Sequence, residues 1–172
     1  MSSIDCSILT PAPPLSRFSY PFVDALAECP NGSVYAVGAP DGFSKGSLWR
    51  VDPSTATLTR IGSLQSTSFL GPTALACDGG NELFGGSDDF SIGAGVLFRI
   101  NTQTAEATII GPDVPGYRAL ASGPRGILYA IVTEDLAVAT RVQLVTVSTT
   151  SGLQTPVNPG HYLTSREYRG MA

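Results

Sequence analysis

Two stretches of this sequence decide its fold. Residues 25–62 read ALAECPNGSVYAVGAPDGFSKGSLWRVDPSTATLTRIG, and residues 74–111 read ALACDGGNELFGGSDDFSIGAGVLFRINTQTAEATIIG. Aligned at a constant offset of 49 without gaps, they are identical at 11 of 38 positions. A third copy follows around Leu120, Tyr129 and Leu144, and residues 168–172 (YRGMA) resemble its start (YRALA, residues 117–121). A repeat of this period indicates an array of equivalent structural units.

Each copy is predicted to fold as four short antiparallel strands. The first is small and apolar (Ala25-Leu26-Ala27), and the Asn31-Gly32 turn after it supplies the positive φ angles of a tight hairpin. Later strands alternate, as in Leu48-Trp49-Arg50-Val51, which indicates one buried face. Four-stranded units of this length are typical of β-propeller blades. The predicted fold is therefore all-β, with three four-stranded blades and a partial fourth.

The repeat also resembles a known group of proteins. Its pattern of ALA, an Asn-Gly turn, VYAV, a loop and LWRVDPSTATLTRIG is similar to the repeats of bacterial TolB-like, NHL and YVTN-type β-propeller proteins. The resemblance covers about residues 22–172 and rests on turn and core positions. It implies a propeller fold in a family whose members are often secreted, and it carries no catalytic signature.

The expected organisation is an N-terminal segment at residues 1–21, which includes a candidate outer strand, followed by the propeller repeats. Their bounds are about 22–66, 67–115 and 116–161, with a partial repeat at 162–172. Closed propellers contain about four to eight blades, so three blades leave a ring open. Three explanations stay open: a fragment of a longer propeller, a homodimer that closes a six-bladed ring, or an open arc with exposed blade faces.

Composition excludes several classes of partner. The 172 residues are 42% hydrophobic and 14% charged, so one folded domain is expected and charge-driven disorder is excluded. The net charge of −4 and the scattered basic residues give no footprint for nucleic acid. No apolar run is long enough to span a membrane, and the N-terminus has no signal-peptide pattern. The sequence leaves the localisation open.

Cysteine and histidine usage limits the metal and redox chemistry. Cys6, Cys29 and Cys77 are an odd number without a zinc-binding spacing, so reduced, partly buried thiols are expected, with a Cys29–Cys77 pair as the alternative. The single histidine, His161, argues against sites built from several imidazoles.

The loops between the second and third strands carry the candidate site residues. These loops lie on one rim of a propeller, so their carboxylates can converge on a hard cation such as Ca²⁺. The chain has no DxDxDG calcium loop, and exposed acidic side chains are mostly just solvated. The candidate ligand-binding residues are Asp41, Asp88, Asp89, Glu134 and Asp135.

A second candidate is a pair of matched arginines on third strands. Arg50 and Arg99 could form a repeated anion or carboxylate site, although ion pairs with acids such as Asp52 are the favoured explanation.

These observations favour a non-catalytic binding or scaffolding module for a protein or saccharide ligand, with no cofactor unless Ca²⁺ binds. The alternative is a divalent-metal-dependent hydrolase similar to the gluconolactonase-like propellers, in which acidic and amide side chains hold an ion that activates water. A divalent ion that stabilises the protein by stoichiometric binding would support the hydrolase, whereas the absence of such stabilisation would favour the binding module.

Overall fold

The computed structural model describes residues 23–38, 46–64, 71–88, 94–133 and 142–163. Over these residues the chain forms three four-stranded antiparallel sheets, each with its strands in chain order. Sheet I contains β1 (Ala25–Glu28), β2 (Val34–Gly38), β3 (Ser47–Asp52) and β4 (Thr57–Ser63). Sheet II contains β5 (Ala74–Cys77), β6 (Leu83–Gly86), β7 (Ala94–Ile100) and β8 (Ala107–Pro115). Sheet III contains β9 (Tyr117–Ser122), β10 (Leu128–Thr133), β11 (Val142–Val147) and β12 (Gln154–Pro156).

Local sequence explains the turns that join these strands. In sheet I the Gly32 amide donates to the Cys29 carbonyl at 2.8 Å, and Gly32 takes the positive φ of +79° that an Asn-Gly turn favours. The equivalent turn of sheet III contains a single 3-10 turn, Pro124–Gly126. The predicted all-β fold of three four-stranded antiparallel units is confirmed.

The three sheets pack face to face in chain order. We call the face of a sheet that packs on the preceding sheet proximal, and the opposite face distal. One core cluster joins the distal face of sheet I to the proximal face of sheet II, with Val37 and Leu48 against Leu75 and Phe98. A second cluster joins sheet II to sheet III. Sheet II is therefore buried on both faces, and strands β5 and β6 contain no exposed residue.

Contacts between sheets involve above all their first strands, because β1 contacts β5 and β5 contacts β9. Inner strands that lie side by side in this way are typical of propeller blades around an axis. The small residues of these strands, such as Ala27 and Ala76, allow the close approach, and both are buried.

A disulfide bond joins two of the first strands. Cys29 follows β1 and Cys77 ends β5, with their Cα atoms 5.0 Å apart and their sulfurs bonded. The expectation of reduced thiols is thus wrong for these two residues, since the stacking of β1 on β5 brings together cysteines that are 48 positions apart. Cys6 lies outside the described residues, as do the N-terminal segment with its candidate outer strand and residues 164–172 of the partial fourth repeat.

Candidate functional site

The predicted rim-loop site is only partly covered by the described residues. Asp41, Asp89, Glu134 and Asp135 lie outside them, so their convergence on a cation stays a prediction. Asp88 is described, and it follows β6 at the end of sheet II that carries the rim loops. Its side chain is buried, with 2% of the residue exposed.

Asp88 is held by an arginine of the next sheet. Nε of Arg118, near the start of β9, lies 2.8 Å from Oδ2 of Asp88, and it also donates to Oγ1 of Thr133 at 2.7 Å. The Cβ of an alanine in place of Gly116 would overlap Oδ1 of Asp88, so the glycine makes room for the carboxylate. This ion pair links sheets II and III, and it gives the Asp88 carboxylate a charged partner within the protein.

A polar groove of about 520 Å³ lies at the opposite end of sheet II. The turn after β5, the end of β7 and the turn between β7 and β8 form its walls. Its polar lining residues are Asn81, Glu82, Arg99, Asn101, Thr102, Gln103, Glu106 and Thr108.

Sheet I carries a second groove, of about 340 Å³, at the same position of the repeat. All nine of its lining residues correspond at the offset of 49 to lining residues of the sheet II groove. Arg50 corresponds to Arg99 and Asp52 to Asn101, so the two grooves share a layout but differ in detail. In sheet III the corresponding position is Thr146, whose hydroxyl donates to the Thr155 carbonyl at 3.3 Å. The arginine grooves are therefore a feature of sheets I and II.

The arginine of the sheet II groove is positioned by its neighbours. Nε of Arg99 lies 3.5 Å from Oε2 of Glu82, and its guanidinium carbon lies 5.9 Å from the centre of the Phe84 ring. About half of each charged side chain is exposed, at 48% for Arg99 and 50% for Glu82. An ion pair this exposed leaves the guanidinium able to bind a ligand.

Asp52 does not pair with Arg50, so that expected partner is wrong, whereas an ion pair of the expected kind is present at the matched Arg99, whose acid is Glu82. Oδ1 of Asp52 instead accepts hydrogen bonds from the Ser54 hydroxyl at 2.6 Å and the Ser54 amide at 2.9 Å. The hydrogen bonds from the Ser54 and Thr55 side chains, followed by that from the Ser54 amide, lower the pKa of Asp52. Within the described ranges Arg50 makes no ion pair.

Asparagine side chains add hydrogen-bond donors to the sheet II groove. Oδ1 of Asn101 accepts from the amides of Gln103 and Thr104, at 2.8 and 3.1 Å. Oδ1 of Asn81 accepts from the Asn31 amide of sheet I at 2.8 Å. Both oxygens already accept hydrogen bonds from backbone amides, and the NH₂ groups of these side chains can donate to a ligand.

The matched arginines were visible in the sequence, but the groove around them was not predicted. One further signal was available: Thr59 and Thr108 are identical in the two copies and pair in register with Arg50 and Arg99. Core packing does not explain why two exposed polar residues repeat together on adjacent strands. Their repetition therefore marks this face as a candidate ligand-binding surface.

The described part of the chain contains no group of three or more His, Cys, Asp or Glu side chains arranged to hold a metal ion. Nor does any described helix have the length and hydrophobicity needed to cross a bilayer.

Comparison with solved structures shows the same propeller-like fold in several proteins. The chain is similar to the periplasmic gluconolactonase PpgL of Pseudomonas aeruginosa, with a TM-score of 0.52 and 17% identity over 79% of this chain and 45% of that one. It is also similar to hydrazine synthase of Kuenenia stuttgartiensis, with a TM-score of 0.51 and 12% identity over 89% of this chain and 38% of that one. A PQQ-bound aldose sugar dehydrogenase of Streptomyces coelicolor matches with a TM-score of 0.49 and 17% identity, over 78% and 46% of the two chains.

This chain thus spans less than half the length of each of these structures. No protein-family model matches it, and no curated protein does. At these identities the likeness shows the fold alone, and it supports a propeller-type repeat protein in general rather than the TolB-like or NHL groups in particular.

Proposed function

We propose that this chain is a non-catalytic β-propeller module that binds a saccharide through the two equivalent grooves on sheets I and II. The observation that carries the proposal is the repetition of one polar groove, with its arginine, at the same position of two successive repeats. Linked equivalent sites suit an extended ligand whose own units repeat, because the second contact is intramolecular once the first has formed.

The chemistry of the sheet II groove fits a neutral, hydroxyl-rich ligand. A sugar hydroxyl both donates and accepts hydrogen bonds, and the groove offers both partners. Arg99 and the asparagine NH₂ groups supply donors, whereas Glu82 and Glu106 supply acceptors. Two carboxylates beside one guanidinium disfavour an anionic ligand, because like charges repel at short range.

A protein ligand is the other class that the sequence suggested, and the grooves fit it less well. Protein interfaces depend on exposed apolar and aromatic anchors at their centres. The apolar residues lining the sheet II groove are Leu83 and Ile100, and only 1% and 3% of their surfaces are exposed. The surface open to a partner in this groove is therefore polar.

Titration of the ¹⁵N-labelled chain with a panel of neutral oligosaccharides tests this function. We expect chemical-shift changes that cluster at both grooves, and a loss of affinity of roughly 10-fold in Arg99→Met, which is the usual effect of removing one charged hydrogen-bond donor. Arg125→Gln, which changes an exposed arginine in the β9–β10 turn of sheet III, is the matched control and should bind as the native chain does. Shifts confined to other surfaces, or equal losses in both variants, would refute the proposal.

The same sample separates this function from the metal-dependent hydrolase. If the rim loops hold Ca²⁺, stoichiometric binding must raise the melting temperature by mass action. The binding-module proposal expects no saturable shift at millimolar Ca²⁺ and no hydrolysis of sugar lactones.

We also infer that the module works in an oxidising compartment and belongs with the TolB-like, NHL and YVTN-type repeat proteins. The disulfide between Cys29 and Cys77 supports the first inference, since such bonds persist mainly outside reducing compartments. The repeat motif supports the second.

A further inference from the structure

Equivalent residues of the three sheets differ sharply in exposure on their proximal faces. Leu26, Leu75 and Leu120 occupy one position of the repeat, and Leu26 is 61% exposed, whereas Leu75 is 4% exposed and Leu120 packs against the second core cluster. At another position Val23 is 55% exposed and Tyr117 is completely buried. Residues that sheets II and III bury against the preceding sheet are thus uncovered on sheet I.

Part of the proximal face of sheet I is already covered. Ala36 and Trp49 lie on this face and are buried. The uncovered part is therefore the region of Val23, Leu26 and the half-buried Val34 and Val51.

The distal face of sheet III is also incompletely buried. Buried and half-buried residues alternate along β10 and β11, so one face of the sheet is buried and the other is only partly covered. The half-buried set includes Tyr129, Ile131 and Leu144. In sheet II the corresponding Phe84 and Leu97 are completely buried against sheet III.

We propose that the proximal face of sheet I docks on the distal face of sheet III of a second copy of this chain, so that two chains close one ring of six sheets. The contact continues the interface already present twice within the chain, because sheet I presents the repeat positions that sheets II and III use for it. The inference does not depend on the saccharide proposal.

Side-chain sizes at one position of the interface are also complementary. At the junction of sheets II and III, Tyr117 fits because Gly86 has no side chain, and a Cβ on Gly86 would lie 2.5 Å from that of Tyr117. The equivalent residues in the proposed junction are Val23 on sheet I and Ile131 on sheet III. Two medium-sized apolar residues there replace a large and a small one, which preserves the packed volume.

Sedimentation equilibrium of the full chain at micromolar concentration tests the proposal. Two chains of 17.9 kDa give a particle of about 36 kDa, which is the expected result, and a monomer would overturn it. Val23→Glu and Ile131→Lys should each convert the dimer to monomers, because each places a charge in both interfaces of the ring. Circular dichroism of each variant checks that the sheets remain folded.

Mixing the two variants gives the decisive result. A mixed ring contains one native interface and one in which the new glutamate faces the new lysine, so dimers should reappear on mixing. A dimer that persists in either single variant, or monomers that persist in the mixture of folded variants, would show that these faces do not dock in this way.

Discussion

Asp88 and Arg118 form an ion pair across the junction of sheets II and III, with Nε 2.8 Å from Oδ2. The carboxylate is 3% exposed and the guanidinium side chain 27% exposed, so both charges have lost most of their water. Removal of one partner leaves the other charge buried without compensation, and this is more costly than the net contribution of the pair.

We therefore expect Arg118→Met to lower the free energy of unfolding by about 3 to 5 kcal/mol. The matched control is Arg99→Met, which breaks the half-exposed pair with Glu82 and should cost less than about 1 kcal/mol. Urea denaturation of the two variants measures the difference. Similar losses in both would mean that Asp88 is hydrated in solution.

The Cys29–Cys77 disulfide should account for a large part of the stability of the module. A cross-link between residues 48 positions apart restricts the unfolded chain, and loops of this length predict a stabilisation of about 4 kcal/mol. We expect the double variant Cys29→Ala, Cys77→Ala to have an unfolding free energy lower by that amount, measured by urea denaturation.

Reduction of the native chain provides the control for this substitution. The reduced native chain and the double variant should have similar midpoints, and further reductant should not change the variant. A native chain whose urea midpoint is the same with and without reductant would contradict the prediction.

The sequence was sufficient to predict the three sheets, because turns and alternating strands are encoded locally. The Asn31-Gly32 turn and the alternation in Leu48-Trp49-Arg50-Val51 each determine structure within a few residues. Contacts between sheets could not be predicted in the same way. The partner of Asp88 lies 30 positions later, and the Cys29–Cys77 bond depends on how β1 stacks on β5.

The candidate site was predictable to a smaller extent. The identity of Arg50 and Arg99 points to the face that carries the two grooves, but Asp52, the example of an expected ion-pair partner, accepts hydrogen bonds from the nearby Ser54 instead. Competition between a local turn bond and an ion pair with a residue two positions away on the same strand is decided by geometry, which composition and spacing do not contain.

Tyr117 should make the stability fall at high pH. Burial raises the pKa of its phenol above the usual value of 10.0, and a hydrogen bond with Gln154 acts in the opposite direction to a smaller extent. As the pH rises, the Tyr117 phenol of the unfolded chain therefore loses its proton at a lower pH than the phenol of the folded chain. The contribution of neutral Tyr117 is fully present below about pH 10 and is lost as the pH rises through the pKa of the folded state.

Tyr117→Phe should remove this loss, so that its unfolding free energy falls less steeply than that of the native chain between about pH 9 and 11. At pH 7 we expect a change below about 1 kcal/mol, because the interaction of the buried hydroxyl with Gln154 does not reach the geometry of a full hydrogen bond, and no other described residue supplies one. Tyr129→Phe, at a half-buried position of sheet III, is the comparison variant. Parallel pH profiles for the native chain and Tyr117→Phe would show that the phenol does not titrate differently on folding.

Gly62 and Gly111 are identical in the two aligned copies, and the contacts between sheets explain why. Each lies on the fourth strand of its sheet against the turn between the third and fourth strands of the next sheet. A Cβ on Gly62 would lie 3.0 Å from the Thr104 carbonyl oxygen, which small shifts can relieve. A Cβ on Gly111 would overlap the Ser151 carbonyl oxygen, and Gly111 also has a positive φ of +75°.

Gly111→Ala should therefore destabilise the module by about 2 to 4 kcal/mol, since overpacking against the backbone adds to the cost of a left-handed alanine. Gly62→Ala, at the same position of the repeat, should cost about 1 kcal/mol or less, because its conformation suits alanine and the reduced freedom of the unfolded chain offsets part of the crowding. Urea midpoints of the two variants measure the difference. Equal destabilisation would mean that the two junctions are packed alike, and that the closer approach of sheet III to sheet II does not persist in solution.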